Sequence, residues 1–169
     1  MGGPVVRAAR PGDAPGVIGL YNHYVEHTPI TFHVEPLRVE PPDPWIEVFS
    51  GAGRYRLFVA EADGRMVGFA GSRPFRPKPA YDTTAETMVY LAPEAKGQGL
   101  GTQLYAALFQ ALAGEDLHRA VAGITLPNDA SRALHRRFGF SEVGVFREVG
   151  RKFDRFWDVL WMEKALSPP

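Results

Sequence analysis

The chain contains no cysteine among its 169 residues. That absence removes disulfides, thiolate nucleophiles and cysteine-ligated zinc together. Neither charge is in excess. Lys plus Arg number 19 and Asp plus Glu number 19, so no global field favours nucleic acid or an anionic membrane, and any anion site has to be local. Long apolar runs are missing as well. No segment reaches the roughly 20 residues that a membrane-crossing helix needs, and "MGGPVVRAARPGD" lacks the apolar stretch of a secretion signal. The expectation is a soluble, cytoplasmic protein with no membrane or nucleic-acid partner. Repeats and low-complexity tracts are also lacking, because the 18 Gly and 15 Pro fall between periodic segments. The length suits one domain, residues 1–169.

Several elements can be read from the pattern of what is present. "VVRAA" reads as a strand, and "PGDAPGVIGLYNHYVEH" as a helix capped near Asp13 with Val17, Leu20, Tyr21 and Tyr24 inward. "DPWIEVFSG" is a short helix or turn. "RLFVAEADGRMVGFAGS" has the form of a hairpin around Asp63-Gly64. In "TTAETMVYL" the period of two puts Glu86, Met88 and Tyr90 on one strand face. Leu104, Leu108 and Leu112 then stripe a helix closed by Gly114. After the strand "AVAGITL", Asn128 caps a helix with Ala130, Leu134 and Phe138 on its buried stripe and Gly139 as its left-handed stop. Two antiparallel strands finish the chain. Hairpins mixed with helical crossovers point to an α+β fold with a mixed sheet rather than a doubly wound parallel one.

The helix of Leu104 opens on Lys96-Gly97-Gln98-Gly99-Leu100-Gly101-Thr102. No Lys-Ser/Thr pair follows the last glycine, so this is not a Walker A loop. Thr102 stands where a Rossmann fingerprint needs its third glycine, and the loop does not follow the first strand of a βαβ unit. Unhindered N–H groups at a helix N-terminus do form an anion cradle. A glycine turn that only lets helix and sheet pack closely is the plainer alternative.

Taken with "PND" and the helix ending "LHRRFGF", the chain resembles the GNAT superfamily of acetyl-CoA-dependent N-acetyltransferases. Lys96, Gly99 and Gly101 occupy that superfamily's Arg/Gln-x-x-Gly-x-Gly/Ala loop, with Lys96 a departure. The resemblance narrows to the phosphinothricin and methionine-sulfoximine acetyltransferases through "LYNHYVEHTPITF", "FRPKPAYDTTAETMVYLAP", "LPNDASRALHRRFGF" and "REVGRKFDRFWDV". Thr83 and Phe156 stand where that family often has tryptophan, and Met88 where it often has a small polar residue. The implied fold has a mostly antiparallel sheet with a V-shaped splay. The resemblance also implicates the backbone of Met88, Val89 and Tyr90 for pantetheine and the acetyl carbonyl. It assigns Lys96, Gly97, Gln98, Gly99, Leu100 and Gly101 to the pyrophosphate, and Asn128 to the pantetheine arm.

An amine attacks a thioester only when unprotonated, so a base is needed near neutral pH. Glu86 is the candidate, since a partly apolar strand face raises a carboxylate pKa and the family position agrees. A carboxylate paired structurally with an arginine is the alternative. His135 stands four residues before Gly139, where many GNAT enzymes carry a tyrosine that protonates the CoA thiolate; it can also be a helix histidine bonded to its surroundings. Arg76 can grip an acceptor's anionic group in bidentate fashion. Lys78 and Tyr81 match the family's substrate loop, and Phe32 is placed on the opposite wall or in the core. "HYVEH" fits a zinc signature through His23 and His27, but no third ligand is proposed downstream, so no metal is expected.

The sequence therefore suggests direct acetyl transfer from acetyl-CoA to the α-amine of a small amino-acid-like acceptor. Rivals are another small amine, an antibiotic or a protein N-terminus as acceptor, or a non-catalytic acyl-CoA sensor. The aromatic "FDRFWDVLWM" exceeds the needs of one strand face and hints at a partner surface, a homodimer.

Overall fold

The computed structural model describes residues 3–166. Seven strands form one sheet: β1 (Val5–Ala8), β2 (Leu57–Ala62), β3 (Arg65–Pro74), β4 (Thr84–Leu91), β5 (Arg119–Thr125), β6 (Ser141–Lys152) and β7 (Arg155–Ala165). Three longer helices accompany them: α1 (Ala14–His27), α2 (Leu100–Leu112) and α3 (Asp129–Arg137). The sheet order is β1-β2-β3-β4-β5-β7-β6. Among these neighbours only β4 and β5 run parallel, the others being antiparallel. This is the α+β architecture expected from the mixture of hairpins and crossovers.

Alternation along β4 decides which helix each residue meets. Ala85 belongs to a cluster with Ala60, Ala70 and the α2 residues Leu104, Tyr105 and Leu108, all fully buried or nearly so. Alanines on the sheet let the leucine stripe of α2 approach closely, and truncating one of those leucines to Ala would cost about 2–5 kcal/mol. Met88 and Tyr90 instead join Phe69, Val59, Trp45 and the α1 residues Val17 and Tyr21 on the other face. A third cluster, with Ile124, Phe140, Leu160 and Met162, fills the space beside β5 and β7.

Two local readings need correction. Asp13 occupies the N-cap position of α1 without capping it through its side chain. Its carboxylate accepts instead from the Arg7 guanidinium at 2.7 and 2.9 Å and from the Arg10 N–H. In α3 the buried side chain is His135, whereas Ala130 is exposed and Leu134 and Phe138 are half-buried. This helix lies over an opening rather than a filled core. Asn128 does cap it, accepting from the Ser131 N–H at 3.2 Å. Among the described residues no helix is long and apolar enough to cross a membrane.

Candidate active site

The parallel ladder between β4 and β5 is short. It pairs Thr84 with Arg119, Ala85 with Ala120 and Glu86 with Val121, and then stops. Beyond it β4 stays with β3 as far as Leu91, while β5 stays with β7 as far as Thr125. The two strands diverge, and a cleft of about 700 Å³ opens between them. At its apex the Thr87 hydroxyl donates to the Val121 carbonyl at 3.4 Å.

Alternation also decides which main-chain groups face this opening. The Ala92 N–H donates to Val67 on the β3 side, so Tyr90, Met88 and Glu86 turn their main-chain groups the same way. Thr83 accepts from His118 on the β5 side, so Thr87 and Val89 present theirs to the cleft. The expectation for Met88 and Tyr90 is thereby corrected: their backbones serve the β3 ladder, and they line the cleft with side chains.

At the far end lies the glycine loop. Gly97 and Gly99 hold φ of +76° and +75°, the left-handed region, and a Cβ at either would meet nothing within 4 Å. Gly99 is the N-cap of α2. These two glycines therefore serve backbone conformation and leave the space around their amides open. Gly101 has another reason: a Cβ there would come 3.3 Å from Leu134 of α3. Close packing accounts for Gly101, whereas the space at Gly97 and Gly99 is open. Lys96 stands at the loop mouth with its ammonium 5.3 Å from the Tyr24 ring centroid. Leu100, Asn128 and Thr102 also line the cleft. Gln98 does not; its side-chain amide turns back to the Glu94 carbonyl at 2.9 Å.

Glu86 sits on the last parallel pair before the splay, half-buried in the cleft wall. Burial pushes its carboxyl above the usual carboxylate range, and the positive charges of Arg73 and Arg76 offset this in part. Among the described residues its carboxylate makes no hydrogen bond and no ion pair within 4 Å, and Arg73 and Arg76 act on it only from farther off. Around it stands a rigid aromatic wall. Tyr21 stacks on Trp45 at 4.6 Å and meets Tyr90 edge-on at 5.2 Å. The Tyr21 hydroxyl bonds the Thr31 hydroxyl and His33 Nδ1, and the Tyr24 hydroxyl donates to the Leu91 carbonyl at 2.6 Å.

His135 lines the cleft from α3 but is only 3% exposed. Its Nδ1 lies 2.7 Å from the Ser131 carbonyl, so Nδ1 carries the proton, and Nε2 accepts from the Tyr105 hydroxyl at 2.8 Å. Burial lowers its pKa, with the Ser131 carbonyl opposing. It is therefore a neutral imidazole near neutral pH, with both nitrogens engaged.

Of the expected acceptor residues, Phe32 and Arg76 line the cleft and Lys78 and Tyr81 do not. β3 ends at Pro74, and Pro77 and Pro79 carry the following segment to the surface, where a 3-10 turn spans Pro79–Tyr81. The Tyr81 ring packs edge-on to Phe75 at 5.6 Å. Phe32 is held against β6: a Cβ on Gly150 would lie 2.1 Å from its ring. The same loop is tied by Lys152, a buried lysine whose ammonium donates to the Thr31 carbonyl at 2.8 Å. Sequence reasoning missed Arg73, Trp45, Tyr21 and Thr31, which come from separate segments.

His23 and His27 stack at 4.9 Å on α1, and His27 Nδ1 bonds the His23 carbonyl at 2.9 Å. Among the described residues no group of three or more metal-ligating side chains gathers.

A splayed strand pair, a glycine cradle on a helix N-terminus and a lone carboxylate at the apex define a transferase that seats an extended, phosphate-bearing acyl donor. The chain belongs to the Acetyltransferase (GNAT) family, whose model matches residues 17–140. It is 54% identical to a phosphinothricin N-acetyltransferase of Streptomyces coelicolor, over 98% of this chain and 100% of that one. It is 34% identical to an L-methionine sulfoximine/L-methionine sulfone acetyltransferase of Pseudomonas aeruginosa, over 96% and 95% of the two chains. Among solved structures, a GNAT superfamily phosphinothricin acetyltransferase from Sinorhizobium meliloti in complex with acetyl-CoA superposes with a TM-score of 0.86. That match has 28% identity and covers 96% of this chain and 88% of that one.

Proposed function

We propose that the chain transfers the acetyl group of acetyl-CoA directly to the α-amino group of a small amino-acid-like acceptor, such as phosphinothricin or methionine sulfoximine or sulfone. The observation that carries this reading is Glu86: a half-buried carboxylate in the cleft wall, free of close partners and with a raised pKa. The similarity to acetyltransferases of those compounds supports the acceptor class.

Acetyl-CoA supplies an acetyl thioester, and the cleft suits its shape, with open space around the Gly97 and Gly99 amides for the diphosphate. Lys96 adds a positive charge there, and Asn128 faces the pantetheine arm. The Thr87 and Val89 main-chain groups border the apex, where an N–H donor can hold the thioester oxygen. Glu86 takes the proton from the acceptor's ammonium group, directly or through water. Arg76 grips the acceptor's carboxylate or side-chain anion, and Phe32 closes the wall. His135 is assigned the proton for the departing thiolate. Because it rests neutral, that role requires it to take up a proton first; its immediate task is to hold the Tyr105 hydroxyl.

We also propose a homodimer and a cytoplasmic location, where acetyl-CoA is available. β6 is an edge strand with Val143, Val145, Phe146 and Val149 exposed, and Phe153 and Phe156 are exposed at its hairpin with β7. Phe146 and Val149 also line the cleft, so a second copy seated on β6 would border the acceptor end. Farther along the C-terminal aromatic segment Val159, Leu160 and Met162 are buried.

An acceptor panel followed by thiol release tests the reading. Phosphinothricin, methionine sulfoximine or methionine sulfone should exceed plain amino acids in kcat/KM. Equal or lower values for all three would overturn the acceptor assignment. Acetyl-CoA binding without thiol release from any amine would favour a sensor.

A further inference from the structure

Arg73 had no role in the sequence reading, yet it stands at a decisive register position. It is the cross-strand partner of Glu86 between β3 and β4. Partners in an antiparallel pair project to the same face, so the guanidinium and the carboxylate share the α1 side of the sheet. Its guanidinium lies 5.6 Å from the Trp45 ring centroid, and that ring is fixed by its stack on Tyr21. Arg73 is half-buried and lines the cleft, and its side chain has no hydrogen bond or close ion pair among the described residues. Arg76 is exposed at the edge of the cleft, 4.9 Å over the Phe75 ring, and its side chain likewise makes no hydrogen bond or close ion pair among the described residues.

The acceptor end therefore has two guanidinium groups without anion partners and one carboxylate, Glu86. Each guanidinium has five donors in a planar fork, and here they are open to the cleft rather than used within the protein. A neutral-side-chain amino acid brings one anion, its α-carboxylate, which one arginine satisfies in bidentate fashion. Two arginines match an acceptor that brings two.

Building on the acetyl-transfer reading above, we propose that Arg73 is a specificity-determining residue that selects amino-acid acceptors with a second, anionic group on the side chain. A phosphinate or carboxylate side chain would meet one guanidinium while the α-carboxylate meets the other. Phosphinothricin, whose phosphinate is ionised at neutral pH, belongs to this class. Methionine sulfone has a neutral side chain and does not.

The test is the ratio of kcat/KM for phosphinothricin to that for methionine sulfone, in wild type, Arg73→Gln and Arg73→Lys. A general loss of folded enzyme cancels in this ratio. Losing one charge-assisted contact should lower the ratio about ten- to hundredfold in Arg73→Gln. Arg73→Lys, which keeps the charge but loses the fork, should fall between. An unchanged ratio in Arg73→Gln, with both acceptors affected equally, would mean that Arg73 only balances Glu86, and the proposal fails while acetyl transfer stands. A wild type inactive toward both acceptors would overturn the acceptor assignment above, and this proposal with it.

Discussion

The two ends of the cleft are built from different material. At the end proposed for the cofactor, the groups offered to the cleft are main-chain amides, left open by Gly97 and Gly99 in left-handed conformations at the start of α2. At the acceptor end they are side chains: Glu86 on β4, Arg73 on β3, Phe32 and Thr31 beyond α1, and Trp45 in a 3-10 turn. A diphosphate needs many weak donors converging on one place, which a helix N-terminus provides locally. A proton transfer needs one group of shifted pKa, which requires burial and charges assembled from distant segments. With the roles proposed above, affinity for the donor lies in one end and the chemistry on the acceptor in the other, and single substitutions should separate them.

The largest expected effect lies at the acceptor end. Glu86→Gln keeps the shape and removes the base, and should lower kcat about 10²- to 10⁴-fold. Stability should move the opposite way. Glu86 has a folded pKa raised above its unfolded value, so in the window between the two the folded state binds more protons, and stability falls as pH rises through it. Above that window Glu86→Gln escapes the cost of burying a charge. A melting temperature at pH 7 equal to or above that of wild type is expected, and a clear drop would show that Glu86 is held in a structural pair.

At the cofactor end, Gly99→Val forces a β-branched residue into a left-handed position. A strain of about 1–2 kcal/mol per residue would weaken acetyl-CoA binding by roughly tenfold, with kcat at saturation kept within a few fold. If kcat collapsed while affinity held, the loop would be part of the chemistry rather than a handle.

The smallest effect probes the wall. Gly150→Ala places a methyl group against the Phe32 ring, and the ring must move away from β6. KM for the acceptor should rise about threefold to tenfold, on the scale of a side chain displaced by overpacking of about 1–2 kcal/mol. KM for acetyl-CoA should stay as in wild type, measured in the same assay.

The same contrast explains what could be read from the sequence. The glycine turn is local: a strand, a short glycine run and a helix start are contiguous, so its place at the start of α2 is legible in the sequence alone. Glu86 was legible because a period of two put it on one face with Met88 and Tyr90. Arg73 was not, since its meaning depends on the β3-β4 register, which no local pattern fixes. Phe32 on Gly150 and Tyr105 on His135 are contacts between segments far apart in the chain, visible only once the sheet is assembled. Lys78 and Tyr81, which the resemblance puts in a substrate loop, lie outside the cleft wall of this chain, because the prolines around them carry the segment to the surface.

The central claim is that the backbone cradle binds the donor and the Glu86 side chain does the proton transfer. Titrating acetyl-CoA into wild type, Glu86→Gln and Gly99→Val by calorimetry tests it directly. The account predicts a Kd for Glu86→Gln within about threefold of wild type and one for Gly99→Val roughly tenfold weaker, on the scale of 1.4 kcal/mol per decade. Equal losses in both variants, or an undiminished affinity in Gly99→Val, would contradict it.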